Sequence, residues 1–277
     1  MYFLAATRMA LIEHLRNRLA LWLVVLYVPM WLLLVDLVIS DAPVRFVLRA
    51  TGATLWARGN QLSQMSGALN TVTQIAGFMM FSVTFASGAF DRRLALAGYP
   101  RVHLVTAKSC ALVVVSTVVS GYAALIMTLF WHPRQPWLLA VSLFTAALTY
   151  GALGVLLGAL LRGELEGMFL IIMTSIVDAG LQNPISNNAA GSDVERVLPT
   201  HGATQAARAA GYSSATSLDY LALQLAWFAV LTGVGLVVFH RRTRDRSARP
   251  PRALALTTRA GGTRRGRPGA GPGNQGF

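Results

Sequence analysis

Lysine occurs once in this 277-residue chain, at Lys108, and cysteine once, at Cys110. A single thiol excludes an intrachain disulfide framework, so any loop outside a membrane folds without a covalent staple. Cys110 stands in an apolar run, where a thiol serves as small, inert packing volume. Charge is scarce as well: 13% of residues are charged and only 11 are acidic, against roughly 25% charged in ordinary soluble domains. The five histidines are scattered, with no H-E-x-x-H and no Cys/His pairing, so no metal site is expected. The serines of "FASGA" and "VSGY" have no histidine in a matching segment, so the base that would activate a nucleophile is missing. A phosphate loop is missing too. "TAKS" supplies its Lys-Ser pair, but Val102 and Ala107 stand where its glycines would be. The chain is not expected to be an enzyme or to hydrolyse ATP itself.

Apolar surface is what the chain has in excess. Hydrophobic residues make up 54% and the mean hydropathy is +0.51, which points to the bilayer as solvent. Six apolar stretches stand out: Leu19–Ile39, Ala68–Phe90, Ala107–Trp131, Trp137–Leu161, Gly167–Ile185 and Leu218–Phe239. About 20 helical residues cross a ~30 Å hydrocarbon core, so each suffices as a helix; outer-membrane strands of ~10 alternating residues do not fit. Fourteen cations near span ends fall on the side of the termini. Arg45, Arg49, Arg58, Arg134, Arg196 and Arg208 fall on the other. The positive-inside rule therefore expects a multi-pass protein of the cell membrane with both termini cytoplasmic.

Three regions follow: an amphipathic interfacial helix over 1–18, a six-span domain over 19–239, and a tail over 240–277. Across the first and into the second, Leu4, Leu11, Leu15 and Leu19 share a face. Ten arginines, with Pro and Gly, dominate the tail; it is expected to be disordered and to touch anionic lipid. That localised charge explains much of the pI, so no nucleic-acid partner is expected.

Within the spans, Asp178 is the deepest acid. Thr174, Gln182 and Asn183 are placed to extend it into a polar stripe, and an intramembrane carboxylate is costly enough to suggest a role. The alternative is that it faces a vestibule or caps the next turn. Asp36 lies near a span end. Gly151, Gly154 and Gly158 give the fourth span a flat face, read as close helix packing. The loop "GAFDRRLALAGYPRVHLVTAKS" carries four cations between the second and third spans. Asp91, Arg92 and Arg93 suit a helix start and Gly98 suits its end. The expectation is a short separate helix with its own apolar face, a docking element for a cytoplasmic partner.

With this loop, the amphipathic start, six spans and a large outer loop before the sixth span, the chain resembles the ABC-2 type export permeases, the membrane subunits of ATP-binding-cassette exporters. The resemblance implies an all-α polytopic fold. Its cytoplasmic coupling helix, between spans 2 and 3, would be centred on Asp91, Arg92, Arg93, Leu94, Leu96 and Gly98. It implies short re-entrant helices closing an outer gate through Asn183, Pro184, Leu198, Pro199 and Gln205. The partners implied are a separate ATPase subunit, which would hold ATP and Mg, and a second permease subunit, identical or related. No cofactor is implied on this chain. Gln74, Tyr122, Tyr150 and Asp178 are the expected contacts for a small-molecule, drug-like or lipid-like substrate. The rival expectation is an integral membrane immunity or binding protein that transports nothing. A secondary transporter would show an internal repeat, and the two halves show none.

Overall fold

A computed structural model describes residues 7–9, 12, 16, 18–99, 101–185 and 193–244. The contacts within the chain divide it into Met1–Phe239 and His240–Phe277. Most of the expected 1–18 helix and the tail beyond 244 lie outside the described residues.

The first expected span is helical in three pieces: α1 (Arg18–Trp22), a π-helical turn (Leu23–Tyr27) and α2 (Val28–Val38). A hairpin follows, β1 (Pro43–Leu48) and β2 (Ala53–Arg58), antiparallel with Pro43 opposite Arg58 and Leu48 opposite Ala53. Then come α3 (Gly59–Leu96), α4 (Arg101–Phe130), α5 (Pro136–Leu160) and α6 (Glu164–Gln182). A 3-10 turn (Asp193–Val197), α7 (His201–Tyr212) and α8 (Leu218–Arg244) complete the described chain. The architecture is helical, as expected, with one hairpin added. That hairpin sits between the first and second apolar stretches, and the alternation of "VRFVL" is its signature.

Four stretches among the described residues are long and apolar enough to cross a membrane: Gly59–Gly88, Val102–Phe130, Pro136–Leu160 and Leu218–Val238. Val24–Val38 is a shorter apolar helix. Large apolar side chains stand exposed along these elements, among them Val118, Leu125 and Leu129 on α4 and Val230 and Val237 on α8. Water would not tolerate so much of this surface, so a membrane covers it.

Packing explains why α3 is the axis of the bundle. Val72, Ile75, Ala76 and Met79 of α3 meet Val119 and Ala123 of α4 and Leu143 and Ala147 of α5 in one apolar cluster. The glycine face of α5 packs within the chain. A Cβ at Gly154 would stand 2.3 Å from the Gly77 carbonyl oxygen, and one at Gly158 3.0 Å from that of Phe81. Close approach of α3 to α5 thus requires glycine at both positions.

α3 also overturns one expectation. The basic loop does not form a separate helix after the second span. Helix α3 runs unbroken through Asp91 to Leu96. Nothing from Phe90 to Leu96 breaks a helix, and Gly98, at φ +87°, is the first residue to leave it.

α7 is short and buried. Eleven of its twelve residues are buried, although "HGATQAARAAGY" is scarcely apolar. Its first turn meets Gln224 of α8, which also holds Thr149 in the middle of α5. Its last turn meets the loop before α5: the Arg134 and Gln135 amides donate to the Gly211 and Ala210 carbonyls at 3.3 and 2.8 Å. Twelve residues rise about 18 Å, so α7 climbs from mid-bundle back to the loop end. The hairpin covers that end, with Phe46 against Tyr212 at 5.2 Å between ring centroids.

Candidate functional site

Helix α6 is apolar outside and polar inside. Phe169, Met173, Ile176 and Val177 are exposed, while Gly167, Ile171, Ser175, Asp178 and Gln182 are buried. The buried set repeats at the helical period. The expected stripe is therefore displaced by one residue, from Thr174 to Ser175. Asp178 Oδ2 accepts bonds from Tyr150 Oη at 2.9 Å and from the Thr200 amide at 3.1 Å. Its Oδ1 accepts from Gln182 Nε2 at 2.7 Å. Gln182 Nε2 also reaches Thr200 Oγ1 at 3.0 Å, and Arg208 donates to the Gln182 carbonyl. Thr200 immediately precedes α7, so the carboxylate lies at the positively polarised end of that helix. Asp178 thus joins α5, α6 and the start of α7.

Gln74 extends this layer. Its Oε1 accepts from Tyr27 Oη at 2.8 Å, and its Nε2 donates to Asn70 Oδ1 at 3.3 Å. Asn70, Thr73, Gln182, Thr200 and Thr204 line a small cavity of about 10 Å³, near the size of a single water. Gln74, Tyr150 and Asp178 thus belong to one buried polar layer. Tyr122 stands apart; its hydroxyl donates to the Val25 carbonyl, within the π turn, at 3.0 Å.

The expected gate residues are spread around α7. The Asn183 amide closes α6 on Ala179 and Gly180, and Asn183 Oδ1 accepts from the Ile185 amide at 3.0 Å. Pro184 continues that turn. The Leu198 carbonyl accepts the His201 amide at 3.1 Å, and the Pro199 carbonyl accepts from Gln224 Nε2 at 2.9 Å. Gln205 is fully buried, with neither amide atom hydrogen-bonded. Two neighbours on α7 are electrostatically displaced. Burial first, then Arg49, Arg208 and Arg196, push the His201 imidazole down to about 4. Burial lowers Arg208 to about 10, which leaves it charged at neutral pH.

At the other end, the Tyr99 amide bonds to the Leu94 carbonyl across Gly98 at 3.0 Å, a Schellman closure of α3. Asp91 points inward. It is 9% exposed, accepts from Ser87 Oγ at 3.3 Å and is paired with Lys108 of α4. Asp91 is therefore a fastening between α3 and α4 rather than a surface contact. Arg93 and Gly98 are exposed and Leu94 is half-buried. Arg92 and Leu96 lie in the same last turns, and their side chains fall outside the described residues.

The roles of three residues were not anticipated from the sequence. Gln224 is the lone amide of "LALQLAWF", and polar residues in an apolar span tend to join helices. Lys108 stands out as the chain's single lysine. Thr200 carries no local signal; its amide matters only because α7 starts opposite Asp178. Asp36, read as near a span end, accepts from Asn60 Nδ2 at 3.1 Å and Gln64 Nε2 at 3.0 Å. No family model matches the chain, and no curated protein is similar enough to count as a relative.

Proposed function

We propose that this chain is the membrane-spanning subunit of an ATP-binding-cassette exporter of the ABC-2 type, coupled to a separate ATPase subunit and paired with a second permease subunit. In this reading Arg18–Val38 and α6 join the four long apolar helices as first and fifth spans, giving six crossings with both termini cytoplasmic.

The observation that carries the reading is the extension of α3. Its apolar window ends at Gly88, yet the helix continues to Leu96, about 12 Å further at 1.5 Å per residue. The Asp91–Lys108 pair and the closure at Gly98 stiffen it, and Arg93 faces outward. A loop that only sets topology needs arginines, not a braced helix end. A rigid extension of the bundle's central helix can transmit a push from a docked ATPase to the whole packed core, as a rigid-body switch requires. α7 supports the same reading as a re-entrant element: it closes the end of the bundle opposite the extension, where an export pathway needs an outer gate. The substrate would meet the polar layer of Gln74, Tyr150 and Asp178 only after that gate moves.

The test is co-purification. Wild type and the double variant Arg92→Glu/Arg93→Glu are each co-expressed with an ATP-binding-cassette ATPase subunit. The expected result is a complex with wild type and loss of the ATPase from a variant that inserts and melts normally. Full retention by the variant, or no complex with wild type, overturns the docking role and returns the non-transporting membrane protein to first place.

A further inference from the structure

A second and larger cavity, of about 80 Å³, lies between α3, α4, α5 and α8 beside the Asp91–Lys108 pair. Its walls are mostly apolar, with Leu104, Leu112, Val155, Leu231 and Leu236 among them. Thr84 also lines it; the residue is 6% exposed and its hydroxyl has no hydrogen-bond partner. We propose that this cavity binds an anionic membrane amphiphile, with its acyl chain between α4, α5 and α8 and its acidic head on Lys108.

The apolar part follows from size and lining. An enclosed 150 Å³ apolar cavity holds benzene; this smaller one is partly open, so it suits the end of a flexible chain more than a rigid ring system. The source is the bilayer. The flanking helices present bare apolar side chains outward, among them Val102 and Val113 on α4 and Val234 and Val237 on α8. A lipid reaches the cavity along that surface without entering water.

The polar part follows from Lys108. An ammonium has three donors, and among the described residues Lys108 uses one, toward Asp91. Asp91 in turn is engaged by both Lys108 and Ser87, so its charge is already answered. A cationic head would meet a neutralised acid beside a lysine, with the exposed Arg93 two residues away. An anionic head instead finds the unspent donors of Lys108. The chain has 23 arginines and this one lysine. A compact ammonium can hold Asp91 and a head group at once, where a planar guanidinium would tend to lock onto the carboxylate in a fork. A head group drawing on Lys108 would load the brace between α3 and α4. The proposal does not depend on the exporter reading, because it needs only the cavity and the bilayer.

The test uses the full chain in a neutral maltoside detergent. Melting temperature and native mass spectra are recorded against added phosphatidylglycerol, oleate and phosphatidylcholine, each with oleoyl chains. Saturable binding of phosphatidylglycerol or oleate at least ten-fold tighter than phosphatidylcholine is expected; which of the two binds identifies the head as phosphate or carboxylate. Asp91→Asn/Lys108→Gln removes both charges together, leaving no lone buried acid, and is expected to erase the preference. Gly235→Leu blocks the cavity from α8, where an added Cβ meets nothing within 4 Å, and is expected to abolish binding while the protein still folds. Equal binding of phosphatidylcholine, preference for a cationic amphiphile such as tetraphenylphosphonium, or anionic binding untouched by both variants overturns the proposal.

Discussion

The start of α7 and the end of α3 are both places where a helix terminus meets a carboxylate and a basic residue. At α7 the carboxylate is Asp178, 2% exposed, satisfied by three donors from three segments, with Arg208 buried alongside. At α3 the carboxylate is Asp91, held by its own helix and one neighbour, with a lysine partly open to a cavity. The first arrangement is closed and over-determined, and moving α7 would break several bonds together. The second is a single brace beside empty space. Displacing the first is therefore expected to cost more than displacing the second.

The largest expected effect breaks the packing on which both regions depend. Gly154→Leu would force a side chain into the α3 backbone, where even a Cβ stands 2.3 Å from an oxygen. Overpacking typically costs about 1–3 kcal/mol, and backbone that cannot yield pushes the cost to the top of that range. Gly121→Leu on α4, where a Cβ meets nothing within 4 Å, is the control and is expected to fold. Comparable yield and melting temperature for the two would mean that α3 and α5 do not pack this closely.

The next effect sets the two carboxylates against each other. Asp178→Ala strands the Tyr150, Gln182 and Thr200 donors in the interior. Unmade buried bonds cost about 1–3 kcal/mol each before relaxation, so a net loss near 3 kcal/mol is expected. Asp91→Ala leaves Lys108 with a route to water and is expected to cost about 1 kcal/mol, nearer an exposed pair than a buried one. Thermal unfolding in detergent measures both. Equal costs would dissolve the distinction between a closed end and an open one.

Much of this was legible beforehand. Four of the six expected spans coincide with helices long and apolar enough to cross a membrane, and the starts of α5 and α8 fall within a residue of expectation. Asp178 and Tyr150 could be singled out because polarity is rare inside spans; that they touch could not, since 28 positions separate them and no local rule fixes their helices' rotation. The expected separate docking helix is absent because charge does not end a helix: Asp91 and its arginines continue α3 until Gly98 leaves it. α7 is the opposite case: low hydrophobicity suggests a surface helix, but small Ala and Gly side chains let it bury among neighbours while Gln224 and Asp178 satisfy its first amides. The hairpin was hidden inside a stretch too short and too mixed to resemble a span.

The smallest effect is a titration, and it asks whether the α7 end is as sealed as its geometry implies. His201 is 2% exposed, its ring edge-on to Tyr220 at 6.1 Å. Burial and the three nearby arginines hold it neutral, with the folded-state value down to about 4, against about 6.5 in the unfolded chain. Between those values the unfolded chain takes up a proton that the native protein refuses. Stability is therefore complete above about pH 6.5 and falls as the pH drops toward 4. His201→Phe keeps an aromatic ring against Tyr220 and deletes the proton site. His201 Nδ1 has no hydrogen-bond partner, so its loss strands nothing at that atom. The melting temperature of wild type is expected to fall more steeply than that of the variant between pH 7 and pH 5. Parallel curves would mean that the imidazole is protonated in the native protein as readily as in the unfolded one, which requires water at the start of α7.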